Sequence, residues 1–296
     1  MRTTSKLKFF LKKHSPEFVF KTCQSLYNKT IARWTLFLFT WRSRDFTKEM
    51  AVELSYFGHS FKLLIDPRNE HLDKWIYVYR SYEQPILNEI KNNTNEGDTL
   101  LDIGANIGHH SLFMSRLTGV KGQVIAFEPI SHLRSQFRKS VDLNHIENID
   151  IKPYALGNKE SDEEIYVCES NVAGSSLVHV APIGRKEVVH ILPLDTLSLS
   201  PSFMKIDVEG YEYFVLIGGE KTIQTFRPKI LLEYSPLYYW STNPSHQRDI
   251  VTFLRKHDYD IYDIEDGRRK INDDEVFLSS FAPDLRAQTN LICIPR

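Results

Sequence analysis

The run LLDIGANIGHHS at residues 100–111 constrains the fold most tightly, because an apolar segment breaks there into a glycine turn that opens a helix. Leu100, Leu101 and Ile103 suit a parallel strand covered on both faces. Gly104 and Gly108 let the backbone turn tightly, so a ligand can approach the main chain. Asp102 stands at the carboxyl end of the strand, where open α/β sheets bind ligands, and Asn106 is a short polar residue that tolerates turn geometry. The turn predicts a site for a nucleotide-like cofactor.

The loop carries no basic residue, so it lacks the lysine of a phosphate-cradling loop, and its DxGxNxG pattern is not the GxGxxG of dinucleotide binders. An acidic loop prefers a cationic or zwitterionic ligand, and S-adenosylmethionine (SAM), with its α-amino group and sulfonium, fits. A second β-rich run, GQVIAFEP at residues 122–129, ends in Glu128. That acid lies about 20 to 25 residues past the glycine loop, the spacing expected of a carboxylate that accepts from both ribose hydroxyls. The alternative for Glu128 is a surface acid ahead of a proline turn. FMKIDVEGYEYFVLIGGE at residues 203–220 carries Asp207 and Glu209 at the end of a short apolar run, and PKILLEYSP repeats the arrangement with Glu233. Successive strands thus deliver acids to one edge of a sheet.

These motifs, together with YEQP (82–85), YALGNKE (154–160), AGSSL (173–177) and PLDTL (193–197), resemble in order the FkbM-type family of SAM-dependent methyltransferases over roughly residues 80–235. The resemblance implies a class I methyltransferase fold: a Rossmann-like α/β sheet of seven mostly parallel strands with an antiparallel edge pair, here preceded by a basic helical extension. It also implies SAM as methyl donor and O-methylation of a hydroxyl on a sugar, glycan, lipid or secondary metabolite. Carried over, it places Asp102, Gly104, Asn106 and Gly108 around the methionine part of SAM and Glu128 on the ribose, with Ala155 and Leu156 near the adenine. Glu83 and Pro129, from the YEQP and VIAFEP motifs, join the cofactor-binding set. Asp207 and Glu209 lie at the methionine end and face the acceptor. His109 and His110 depart from the aromatic or aliphatic residues frequent in the family, and no family role transfers to them.

Methyl transfer from a sulfonium is an in-line displacement with an activated donor, so the enzyme must chiefly align the reacting atoms and exclude water. The hydroxyl proton needs a base within hydrogen-bond reach. Asp207 is the first candidate, with Glu209 and His109 behind it; the other reading of Asp207 is an acid that orients the SAM amino group. Asp207, Glu209 and Glu233 suit a hard cation, but the strand-end acid followed by an Asp-Asn pair of catechol-type enzymes is missing, and no metal is expected. Tyr238, Tyr239 and Trp240 fall in a stretch rich in turn formers. They predict a loop over the active edge that either stacks on an acceptor or packs as a lid, with His246 as a reserve base.

Composition bounds the rest. Residues 1–44 hold ten basic residues against one acid, a local net charge of +9, while the 296-residue chain is near −1. Such asymmetry suggests an anionic partner for the segment. Its longest apolar run, residues 34–41, is far short of the ~20 residues of a membrane span, so an amphipathic interfacial anchor on an anionic membrane surface is the membrane reading. The alternative is packing on the core or homodimerisation. Nucleic acid is not expected, since the rest of the chain is acidic and no recognition motif is present. Three widely spaced cysteines without CxxC spacing suit a reducing compartment. The expected organisation is a basic extension at residues 1–50 and a methyltransferase domain at 51–296, the latter split into a lead-in hairpin (51–80) and a core (81–296). The expected location is cytoplasmic, with the extension at the inner face of the membrane. A non-catalytic SAM-binding regulatory or assembly protein is the competing function.

Overall fold

The computed structural model describes residues 49–67, 72–167, 185–236, 245–281 and 288–296. The basic extension and the aromatic triplet Tyr238, Tyr239 and Trp240 lie outside the described residues. In chain order the elements are β1 (Met50–Tyr56), β2 (His59–Ile65), α1 (Leu72–Tyr79), α2 (Gln84–Asn93), β3 (Thr99–Ile103), α3 (His109–Thr118), β4 (Gln123–Phe127) and α4 (Ser131–Leu143). There follow β5 (Ile149–Lys152), β6 (Ala155–Leu156), β7 (Ser161–Val167), β8 (Arg185–Leu192), β9 (Phe203–Ile206), α5 (Glu212–Gly218), α6 (Glu220–Phe226) and β10 (Lys229–Tyr234). The chain closes with α7 (His246–Lys256), β11 (Tyr259–Asp263), β12 (Arg269–Lys270), α8 (Asp274–Ser279) and β13 (Thr289–Pro295).

The main sheet runs β12-β11-β13-β10-β9-β3-β4-β5. β3, β4, β5, β9 and β10 pair in parallel, whereas β13 returns antiparallel between β10 and β11. β3 is the middle one of the five parallel strands, β10-β9-β3-β4-β5, and buries both faces. Leu100 packs into one apolar cluster with the β1–β2 hairpin and helices α2 to α4, while Leu101 and Ile103 pack into a second with α5 to α8. Each fully buried Leu or Ile of this strand contributes about 1.5–3 kcal/mol of transfer free energy.

The β1–β2 hairpin turns at Phe57 and Gly58, both with positive φ (52° and 87°), and its alternate residues Val52, Leu54 and Tyr56 point into the first cluster. A second, three-stranded sheet, β6-β8-β7, leads away from the carboxyl end of β5. Its strand β6 carries Ala155 and Leu156 back toward the edge where β3, β4 and β9 end. Among the described residues no helix is long and apolar enough to cross a membrane.

Candidate cofactor pocket

The chain reverses after β3 in a way that only a few residues permit. Gly104 adopts φ +82°, and a Cβ there would lie 1.8 Å from the carbonyl oxygen of Asp207. Gly108, at φ +86°, precedes α3, and a Cβ on it would meet the Phe137 ring at 2.1 Å. The loop is tied to the next strand by Gly104 N–H and Ala105 N–H, which both donate to the Phe127 carbonyl at 3.0 Å. Asn106 takes φ 53°, and its side-chain oxygen accepts from Ile107 N–H at 2.8 Å. The consequence is a pocket with Gly104, Ala105, Asn106 and Ile107 along its floor.

Glu128, at the end of β4, closes one side. One of its carboxylate oxygens accepts from Asn106 N–H and the other from Ile130 N–H, each at 2.8 Å. Burial pushes its pKa up to about 7 despite those two bonds. Each oxygen keeps a lone pair beyond the one its backbone bond uses, so the group can still accept from a pair of neighbouring hydroxyls. Pro129, Ile130, Ala155, Leu156 and Phe127 supply the apolar lining beside it.

The opposite side is polar. Glu83, half-buried at the start of α2, lines the pocket with Tyr82, His109, His110, Lys205, Asp207 and Glu209. Lys205 is the residue the sequence reading missed. It is 4% exposed, and its ammonium lies 3.1 Å from Asp207 Oδ2 and 3.5 Å from Asp102 Oδ1. Although burial opposes the charge, Asp207 and then Asp102 and Glu83 hold its pKa above the ordinary lysine value. The signal was available: a lysine inside the apolar run FMKI can only be buried against acids.

The structure places the remaining expected residues as follows. Asp102 is fully buried and does not line the pocket; Ser111 Oγ donates to it at 2.6 Å, so it fastens the start of α3 to the sheet. Gly108 also lies outside the lining and serves instead to admit Phe137. His246 does not belong to a loop over the cleft: it begins α7, packs on the rings of Tyr213 and Phe214 with centroids 4.9 Å away, and is not among the lining residues. His109 does line the pocket, yet its Nε2 is 3.0 Å from the Tyr56 hydroxyl. Burial, with Lys205 nearby, lowers its pKa to about 3, which makes it a weak proton acceptor.

His110, left without a role by the sequence, lies 3.4 Å from the Glu83 carboxylate. Glu209 occupies a left-handed turn at φ 55°, followed by Gly210 at φ 98°, and the buried Glu212 carboxylate accepts from Val208 N–H and Gly210 N–H at 3.1 Å to hold that turn. Glu233 is pushed well above the ordinary carboxylate range, chiefly by burial and next by Asp207. Among the described residues no group of three His, Cys, Asp or Glu side chains is placed to hold a metal ion.

The chain is similar in sequence to a known family and to a curated relative. The sequence profile of the "Methyltransferase FkbM domain" matches residues 102–261, more than half of the chain. A curated relative, the hexuronic acid methyltransferase AglP of Haloferax volcanii, is 27% identical over 147 residues, covering 48% of this chain and 59% of its own length. The chain therefore spans about three fifths of that relative. Among solved structures, the methyltransferase FkbM of Methylobacillus flagellatus is 19% identical and covers 66% of this chain and 43% of its own, with a TM-score of 0.43. Aeropyrum pernix fibrillarin with bound S-adenosyl-L-methionine is 13% identical, covers 84% of each chain and has a TM-score of 0.42.

Proposed function

The chain belongs to the FkbM family of methyltransferases, whose methyl donor is S-adenosylmethionine, and from that membership we propose that it O-methylates a hydroxyl of a sugar, glycan or glycolipid. The observation that carries the cofactor part of this reading is Glu128, buried, anchored through both oxygens to backbone N–H groups, and lining the pocket with the glycine loop. This donor and acceptor set fits SAM. Glu128 would accept from the ribose hydroxyls, the floor at Gly104 to Ile107 would run beside the methionine part, and Ala155 and Leu156 would flank the adenine. Asp207, committed to Lys205 at 3.1 Å, is better suited to orienting the α-amino end than to taking a proton.

When bound, SAM supplies a methyl group already activated on a sulfonium. The work left to this chain is alignment and the exclusion of water, each of which can supply several kcal/mol. A sugar acceptor is supported by the relative named as a hexuronic acid methyltransferase. The test is incubation of the purified full chain with methyl-labelled SAM and cell-envelope glycans, with mass spectrometry of the product; a methyl ether on a sugar is expected, and label on nitrogen or on protein would overturn the O-methylation reading. Glu128→Ala is expected to weaken SAM binding by about tenfold or more in calorimetry, equivalent to at least about 1.4 kcal/mol. Unchanged affinity would remove Glu128 from the ribose.

A further inference from the structure

A second recess adjoins the cofactor pocket. Its walls are Pro85 and Ile86 at the start of α2, Glu265 after β11, and Gln288, Thr289 and Asn290 leading into β13. Glu83 belongs to both recesses and forms the boundary between them. The second recess lies on the functional edge of the sheet, because Thr289 and Asn290 pair with Tyr234 and Glu233 at the carboxyl end of β10.

The lining has the chemistry of hydroxyl recognition. Asn290 Nδ2 donates to Glu265 Oε1 at 3.3 Å, Gln288 Oε1 accepts from Ser235 Oγ at 3.4 Å, and Thr289 Oγ1 donates to the buried Asp263 at 2.6 Å. Two primary amides beside a carboxylate offer donors and acceptors together, which matches hydroxyls that both donate and accept. The charged residues at the junction are Glu83, Glu265, Asp207 and Glu209, and the lysine among the lining residues of the two recesses, Lys205, is engaged by Asp102 and Asp207. A carboxylate on the acceptor would enter against like charges.

Glu83 is held in a way that suits a proton acceptor. Its backbone lies in the left-handed region at φ 46° and ψ 53°, a conformation that concentrates at functional sites when borne by a residue other than glycine. The titratable and charged groups that face it are His110 of α3, Tyr82 beside it, Lys205 of β9 and Asp207 just after it, Glu233 of β10, and Glu265 after β11. Desolvation, followed by Asp207, pushes its carboxyl up to about 7, close to the value at which a base is both ionised and strong at neutral pH.

Resting on the methyltransferase reading, we propose that this recess is the acceptor subsite, that it takes a neutral, hydroxyl-rich ring, and that Glu83 receives the proton of the hydroxyl methylated at its border. The acceptor O–H bond breaks and its proton goes to the Glu83 carboxylate. The oxygen forms the new bond to the methyl carbon, and the electron pair of the methyl–sulfur bond stays on sulfur, leaving a neutral thioether. Preference for a neutral ring would distinguish this chain from its relative named for hexuronic acid.

The experiment uses the full chain saturated with S-adenosylhomocysteine, whose binding is first measured by calorimetry. Methyl glucoside, methyl mannoside and methyl galactoside are compared with methyl glucuronide by saturation-transfer NMR. At least one neutral glycoside is expected to bind, the glucuronide about tenfold more weakly, and Asn290→Ala and Gln288→Ala to weaken the neutral ligand by a similar factor with cofactor affinity unchanged. Binding of no neutral glycoside, a preference for the glucuronide, or insensitivity to both substitutions overturns the subsite.

With labelled SAM and the glycoside that binds, Glu83→Gln is expected to lower transfer by about 100-fold or more while both ligands still bind. Glu83→Asp should retain part of the activity with a shifted pH profile. No transfer by the unaltered chain, or transfer undiminished in Glu83→Gln, overturns the proton-acceptor role. Loss of S-adenosylhomocysteine affinity in Glu83→Gln would make Glu83 a cofactor ligand and overturn it too. Failure of the unaltered chain to bind S-adenosylhomocysteine at all would instead defeat the methyltransferase reading, and the subsite with it.

Discussion

Two residues near the pocket differ sharply in how far the sequence reveals them. Gly108 is visible as a turn glycine, but its structural reason, the Phe137 ring packed where a Cβ would be, depends on a helix almost thirty residues away. Gly108→Ala combines that clash with φ +86° and is expected to destabilise by about 1–3 kcal/mol or more, read as a lowered urea midpoint. Lys205 joins Asp102 and Asp207, and Asp102 is fully buried. Lys205→Met should therefore cost about 3–5 kcal/mol, since it strands a buried carboxylate. Adding Asp102→Asn should recover part of the loss, and strict additivity of the two changes in denaturant melts would disprove the coupling.

Glu128 makes a prediction in pH. Its folded pKa is raised to about 7 from a reference of 4.5, so between those values the folded state retains a proton that the unfolded state has released. Stability contributed by this group is therefore lost as pH rises through that window. In thermal melts without SAM, the melting temperature of Glu128→Gln relative to the unaltered chain should climb from pH 5 to pH 7. A constant difference would show that the carboxyl is not raised.

At the scale of elements, the β1–β2 hairpin does more than lead into the core. Leu63 is fully buried among residues of α3 and α4, and Tyr56 fixes the His109 ring through its hydroxyl. Leu63→Ala is expected to cost about 2–5 kcal/mol and Tyr56→Phe about 0.5–1.5 kcal/mol in equilibrium unfolding. A lead-in hairpin was expected over residues 51–80; its two strands end at Ile65, and Leu72–Tyr79 form the helix α1 instead. The start of α7 was not legible, because the Ser, Thr, Asn and Pro before His246 read as loop, whereas Ser245 Oγ bonds the Asp249 carboxylate at 2.8 Å one turn into the helix. Ile250, Val251, Phe253 and Leu254 then bury one face.

For the molecule as a whole, strand order converts distant acids into one edge. β3 lies between β9 and β4, so Asp207 and Glu128 end on either side of the glycine loop although about eighty residues separate them. The charge of residues 1–44, net +9, makes a separate prediction that rests on sequence alone. Removing that segment should reduce flotation with anionic liposomes at low salt, and equal flotation would exclude a membrane anchor.

The sequence by itself determined the strand–glycine–helix unit, the acids that follow it at strand ends, and the family. These are local signals, set by backbone sterics and by a two-residue or helical period. Only the tertiary structure decided which acids face the pocket. Asp102, read as a ligand, is buried under Ser111 and Lys205, while Glu83 stands between two recesses. The reason is physical: whether a carboxylate meets a ligand or a lysine depends on which strands lie beside it, and neighbours brought together by strand order leave no mark in the local sequence of either one.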